Sequence, residues 1–164
     1  MKYIKKFNTQ EILNDELLEL LGCCSNKSSL QKIKELISKG ADVNCRDTYN
    51  RTPLMKSACY QFYEAVDLLI NYGADVNAVD DNNQNALIFI VTRSIRNLKE
   101  HVFNIIDLLI NSGADISHKD NDGDDIFHTY DEKSNKKLIK YISDKFPKEY
   151  EEYLFKQNIE KYNL

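Results

Sequence analysis

Three histidines, four cysteines and a run of aspartates are the groups in this chain that could bind a metal or turn over a substrate. The run Asp120-Asn121-Asp122-Gly123-Asp124-Asp125 resembles the opening of a calcium loop, in which carboxylates converge on one hard cation. Its carboxylates and glycine are out of order for that use, and Asp131, not Glu, stands at the closing position. Cys23 and Cys24 are adjacent, and with Cys45 and Cys59 they give neither zinc-knuckle nor redox Cys-x-x-Cys spacing. Free thiols in a reducing compartment are the simpler expectation. His101, His118 and His128 lie in separate contexts, whereas catalysis needs a nucleophile or carboxylate converging on one of them. A Gly-x-Ser-x-Gly elbow, a His-Glu-x-x-His helix and a Gly-rich phosphate loop are all missing from the sequence. The expectation is a protein that is not an enzyme and that takes no metal and no cofactor.

The elements that would position these groups repeat. Gly-Ala-Asp occurs at Gly40, Gly73 and Gly113, each time after an apolar helical run and before Val or Ile. An Asp follows each copy at the same offset, at Asp47, Asp80 and Asp120. Gly40 and Gly73 lie 33 residues apart, and Gly73 and Gly113 lie 40 apart, so the third unit carries an insertion. Such a period marks stacked supersecondary units that share one core. Before each Gly, apolar residues fall at i, i+3 and i+4: Ile33, Leu36, Ile37; Val66, Leu69, Ile70; Ile106, Leu109, Ile110. Each Gly then suits the left-handed residue that ends a helix. Thr52 reads as an N-cap and Pro53 as the first helical residue, with Leu54 and Ala58 sharing a face.

The middle unit runs Asp47-Thr48-Tyr49-Asn50-Arg51-Thr52-Pro53-Leu54, Ala58, Glu64-Ala65-Val66-Asp67-Leu68-Leu69-Ile70, Gly73-Ala74-Asp75-Val76-Asn77. It resembles the ankyrin repeat, and the resemblance extends over about residues 28–130 with degenerate units at both ends. Asn50 and Asn83 replace the family's turn Gly and should keep its positive φ. Gln61 replaces the Gly between the two helices and Phe62 the His beside it, so that loop is expected to be remodelled. Asn85-Ala86-Leu87 stands for Thr-Pro-Leu, Met55 and Ile88 stand where the family has His, and His128 keeps that His in the last unit. Cys45 takes a small apolar slot. Asn44 and Asn77 occupy the hairpin Asn that is hydroxylated in some animal members, and their structural use is expected here.

The resemblance implies an all-α fold: an ankyrin-repeat solenoid of stacked helix pairs, short β-hairpin or loop fingers and an extra C-terminal helix. One domain, 1–164, is expected. It comprises an N-terminal capping repeat (11–39), central repeats 40–72 and 73–112 with an insertion near 94–102, a C-terminal repeat (113–146) and a capping helix (147–164). Residues 11–23 read as the first inner helix. Ser28-Ser29 reads as the cap of its partner, residues 30–39. Residues 126–130 and 135–146 read as the last helix pair. Phe155, Ile159 and Tyr162, at i, i+4 and i+7, should lay the final helix on the last repeat.

The net charge of −4 argues against a general nucleic-acid binder, which needs a basic face. No stretch is long enough to span a membrane. Lys2, Lys5 and Lys6 precede no apolar run, so a secretory signal is not expected. A cytoplasmic monomer is expected, or a protein delivered into a host cell without a standard signal.

The resemblance implies binding of another protein through finger tips and inner helices. Carried over by position, the candidate residues are Arg46, Thr48, Tyr49 and Arg51 on the first finger, with Cys59 and Tyr60 behind them. The second finger gives Val79, Asp81, Asn82 and Gln84, with Thr92 and Arg93 on its inner helix. The third gives Lys119, Asn121, Asp122 and Asp124. Tyr49, Tyr60, Arg46 and Arg51 lead, because Tyr and Arg most often anchor interfaces. Charge changes along the row from Arg46 and Arg51 to Asp81, Asp122 and Asp124, which would set register with a partner of opposite polarity. Ordinary solvated loop residues are the other reading. The insertion is either a second binding element or, through Ile95 and Leu98, an extension of its helices. A scaffold or adaptor, an inhibitor or immunity-type protein that occludes a partner enzyme, and a small metal-binding or enzymatic protein are the function classes in play, the last weakest.

Overall fold

The computed structural model describes residues 8–23, 27–94, 100–127 and 132–162. Those residues form eight helices and no strand. They are α1 (Thr9–Cys23), α2 (Lys27–Ser38), α3 (Pro53–Cys59), α4 (Tyr63–Asn71), α5 (Ala86–Ser94), α6 (Glu100–Asn111), α7 (Glu132–Lys145) and α8 (Pro147–Tyr162). The fingers between helix pairs are therefore loops without a β-ladder. Helices α1, α3 and α5 pack in one row and α2, α4 and α6 in a second, while α7 meets α6 through Tyr141 and Lys145 and carries α8. The apolar stripes face between the rows and join into one core from Leu17 to Tyr153.

Local signals start and stop the elements. Thr52 Oγ1 accepts the Met55 N–H at 3.3 Å, and Met55 Sδ accepts the Thr52 N–H at 3.4 Å. A thioether thus takes the part that a Glu carboxylate usually plays in a capping box. Asn85 caps α5 by accepting the Ile88 N–H at 2.9 Å. Gly40, Gly73 and Gly113 have φ of 101°, 85° and 90°, which a Cβ would penalise.

The three fingers share one hydrogen-bond plan. Asp47, Asp80 and Asp120 each present Oδ1 to two backbone N–H groups, those of Tyr49 and Arg51, Asn82 and Gln84, and Asp122 and Asp124, at 2.9–3.0 Å. Asn50, Asn83 and Gly123 supply the positive φ, at 58°, 60° and 83°. Within the acidic run the Asp120 carboxylate is thus a turn-maker, and its Oδ2 accepts Gln84 Nε2 at 2.9 Å.

Asparagines staple one unit to the next. Asn44 Nδ2 donates to Gly73 O (3.1 Å) and its Oδ1 accepts the Asp75 N–H (2.8 Å). Asn77 repeats both bonds to Gly113 O and the Asp115 N–H, each at 2.9 Å. At the first unit the same work is divided between two α1 residues: Gln10 donates to Gly40 O and Asn14 Oδ1 accepts the Asp42 N–H at 2.8 Å. At the last unit Ser117 stands at the Asn position and accepts Lys156 Nζ of α8 at 2.7 Å.

Cys45 is buried as expected, with burial first and Asp42 next pushing its thiol up to about 12.

Three expectations are corrected. Ser28 and Ser29 lie inside α2, which starts at Lys27, so they are not its cap. The final helix does not bury Phe155 and Ile159, which are 67% and 36% exposed. It buries Tyr153 and half-buries Tyr150, whose rings meet Phe127 at 4.6 and 5.8 Å and continue the turn of Phe146. The α3–α4 loop is not remodelled. Gln61 takes the left-handed φ of 57° that Gly would take, held by its N–H on Ala58 O and the Phe62 N–H on Ser57 O, both 2.9 Å. Ile126 and Phe127 form a buried turn, and the remainder of the expected last inner helix, including His128, lies outside the described residues. So do Cys24, Ile95 and Leu98.

A Gln in the left-handed region carries roughly 1–2 kcal/mol of strain. Gln61→Gly is expected to raise stability by about 0.5–1 kcal/mol in urea titrations, once the greater unfolded-state freedom of Gly is subtracted. A decrease would show that the Gln61 Oε1 contact with His101 Nε2, at 2.6 Å, outweighs the strain.

Candidate functional site

The fingers and the outward side of α3 and α5 form one continuous face, and its parts are not free to move independently. Backbone bonds tie each tip to the next: the Asp81 N–H donates to Tyr49 O at 3.2 Å and the Asn121 N–H to Asn82 O at 3.0 Å. Side chains reinforce them. Arg46 donates to Asn50 O (2.8 Å) and Val79 O (2.5 Å), and Asn50 Nδ2 donates to Asp81 Oδ1 at 2.6 Å. Asn83 Nδ2 reaches Lys119 O at 2.7 Å, and Asn121 Nδ2 reaches Asp81 O at 3.0 Å. His118 Nε2 meets Asn83 O at 2.8 Å.

Several candidate residues therefore hold the stack as well as facing outward. Arg46 and Asp81 are exposed yet engaged between fingers. Gln84 and Lys119 are half-buried, and Gln84 is bound to Asp120. Thr48, Asn82 and Asp122 are exposed and Asp124 is half-buried. Tyr49 is 57% exposed and Tyr60 is 53% exposed, at the tip of the first finger and the end of α3.

Around them the face carries an arginine–aromatic layer. The Arg51 guanidinium lies over the Tyr49 ring at 4.6 Å and over Phe89 at 5.6 Å, and Arg93 lies over Phe89 at 5.4 Å, all within cation–π range. Phe89 is 3% exposed yet stands apart from the connected apolar core. Sequence reasoning passed over Phe89, because a Phe on an inner helix reads as core. The available signal was Arg93 four residues later, on the same helical face. Cys59 sits among the same cations. Burial raises its thiol pKa, and Arg93, Arg51 and Lys56 pull it back toward the ordinary value.

Beyond Arg93 lies a shallow groove of about 250 Å³. It is lined by Gln84, Ile88, Thr92 and Arg93 and by Asp120, Asp122, Asp124 and Asp125. Burial pushes the Asp120 carboxyl up, but the bonds from Gln84 and from the Asp124 and Asp122 N–H groups more than reverse this and hold it below the usual range. Among the described residues no cluster of His, Cys, Asp and Glu has metal-binding geometry, and no helix is long and apolar enough to cross a membrane.

This geometry agrees with what comparison with known proteins returns. A profile of ankyrin repeats, in three copies, matches residues 20–120. An ankyrin repeat protein of Acanthamoeba polyphaga mimivirus is 33% identical over 64 residues. That segment is 39% of this chain and 40% of the viral protein, so well under two thirds of the relative is covered.

Proposed function

The chain belongs to the ankyrin-repeat family, and from that premise we propose that it is a non-catalytic module that docks another protein on its finger tips and inner helices. The observation that carries this reading is the pair of exposed tyrosines, Tyr49 and Tyr60, on a face whose fingers are cross-linked by hydrogen bonds. Tyrosine offers a large contact area with few torsions to freeze. A pre-ordered surface loses little further entropy on docking. The face carries an open groove and an arginine–aromatic layer, which suit a protein segment better than an enclosed small molecule.

The test is affinity capture from lysate with wild type beside a Tyr49→Ala/Tyr60→Ala variant, followed by titration of the captured partner. Both side chains are exposed, so the variant should melt with wild type. Binding is expected to weaken about tenfold or more, as for central aromatic anchors. A partner held equally well by both proteins would move the docking surface off this face.

A further inference from the structure

Arg51 and Arg93 belong to different repeats, yet both guanidinium groups cover the ring of Phe89. Neither has a side-chain acceptor or an ion-pair partner among the described residues, whereas Arg46 and Asp81 are engaged between fingers. Arg51 Nε–H is sealed from solvent and has no acceptor there. Arg93 lines the same groove as Asp122 and Asp124 without forming an ion pair with them. Stacking occupies the flat face of a guanidinium and leaves in-plane N–H donors for hydrogen bonds, which at Arg51 are those of the terminal amino groups, since Nε is sealed. Two guanidinium groups within 5.6 Å of one ring offer such donors around the same residue, and a planar oxyanion is the partner with which Arg forms paired hydrogen bonds.

We infer that Arg51 and Arg93 seat a single carboxylate of the docked partner, an Asp or Glu side chain in a segment otherwise neutral or basic. This rests on the reading that the face binds a protein. The field around the pair sets the charge that can enter. Asp120, Asp122, Asp124 and Asp125 line the groove with Arg93, Asp81 is bonded to Asn50 next to Arg51, and the chain carries a net charge of −4. A phosphate brings nearly two negative charges and a nucleic-acid strand many, so each meets more repulsion from the aspartates than a carboxylate does. The same aspartates favour basic residues on either side of the seated acid.

A library of short random peptides displayed on phage and panned against the full chain tests this. The selected peptides are expected to align on one Asp or Glu, with no excess of acid elsewhere. Changing that Glu to Gln should weaken binding to wild type about tenfold and leave binding to Arg51→Gln/Arg93→Gln unchanged, as a double-mutant cycle requires of a direct pair. Arg51→Lys/Arg93→Lys, which keeps the charge and loses the fork, should bind the Glu peptide at an intermediate affinity. Thermal melts of both double variants establish that they fold. Selected peptides without an aligned acid would overturn the inference. So would a Glu-to-Gln cost that persists in the Gln double variant, or tighter binding when phosphoserine replaces the Glu. If such peptides still lose affinity on Tyr49→Ala/Tyr60→Ala, the docking face stands and only the carboxylate seat falls. No enriched peptide on wild type would remove both.

Discussion

Leu87→Ala is expected to cost about 3 kcal/mol and to lower the melting midpoint by roughly 6–12 °C. Leu87 is 0% exposed on α5, the inner helix that packs on α3 and also on α6. Removing its branched end forfeits the transfer energy of the lost carbons and leaves a cavity, and the second term depends on how far the neighbours can close in. Here they are held. Asn44 fixes the first finger to the second and Asn77 fixes the second to the third, so α3 and α6 cannot slide toward the void without breaking those bonds. Leu17, also 0% exposed, offers a contrast. It lies on α1, which among the described residues packs chiefly on α2 and α3, so its surroundings are held on fewer sides and can relax. Leu17→Ala should therefore cost less than Leu87→Ala, although the deleted atoms are identical. Calorimetry and urea titration give both values. A Leu87→Ala cost below about 1 kcal/mol, or the reverse order of the two, would show that the fingers do not hold the spacing between repeats.

The features legible in the sequence were the local ones. The positive φ of Gly73, the Thr52-Pro53 helix start and the Val66/Leu69 stripe follow from residues within one turn of each other, and the period copied them from unit to unit. The choice between two stripes on α8 was not local. Phe155 and Ile159 have helical spacing, and so do Phe146, Tyr150 and Tyr153, and the ring of Phe127 decides which set is covered. Gln61 failed for a different reason. Propensity disfavours Gln at positive φ, but the buried Phe62 and two backbone bonds outweigh it. At the face, exposure of Tyr49 and Tyr60 followed from their place in the repeat. Hydrogen bonding did not. Arg46 and Arg51 look alike in sequence, yet one spans two fingers and the other stacks on aromatic rings. That difference depends on Val79 and Phe89, which enter only when the next unit is stacked.

Stability is expected to fall steeply once the pH drops below about 4, and the finger aspartates are the cause. Burial alone would raise the Asp47 carboxyl. The N–H groups of Arg51 and Tyr49 and the ammonium of Lys56, 3.3 Å away, more than reverse that and leave it below the ordinary value. Asp120 is lowered in the same way, through Gln84 and the N–H groups of Asp124 and Asp122. Asp115 is also lowered, but it is half exposed, so solvent screens its share. A carboxyl with a lower pKa in the folded state binds fewer protons there than in the unfolded chain. Above the unfolded value both states are ionised and the full stabilisation is present. As the pH falls through that value the unfolded chain takes up protons first, and the contribution declines until the pH passes below the folded value, where it is gone. Asp47→Asn/Asp120→Asn keeps an oxygen for the backbone donors and removes the titration. The double variant should be less stable than wild type at pH 7, with the two urea midpoints converging toward pH 2–3. The fingers link each unit to the next, so the wild-type loss should appear first in hydrogen exchange of the finger amides Arg51 and Asp124 and then in the helices behind them. A double variant that loses as much stability as wild type between pH 7 and pH 3 would place the acid sensitivity elsewhere in the chain.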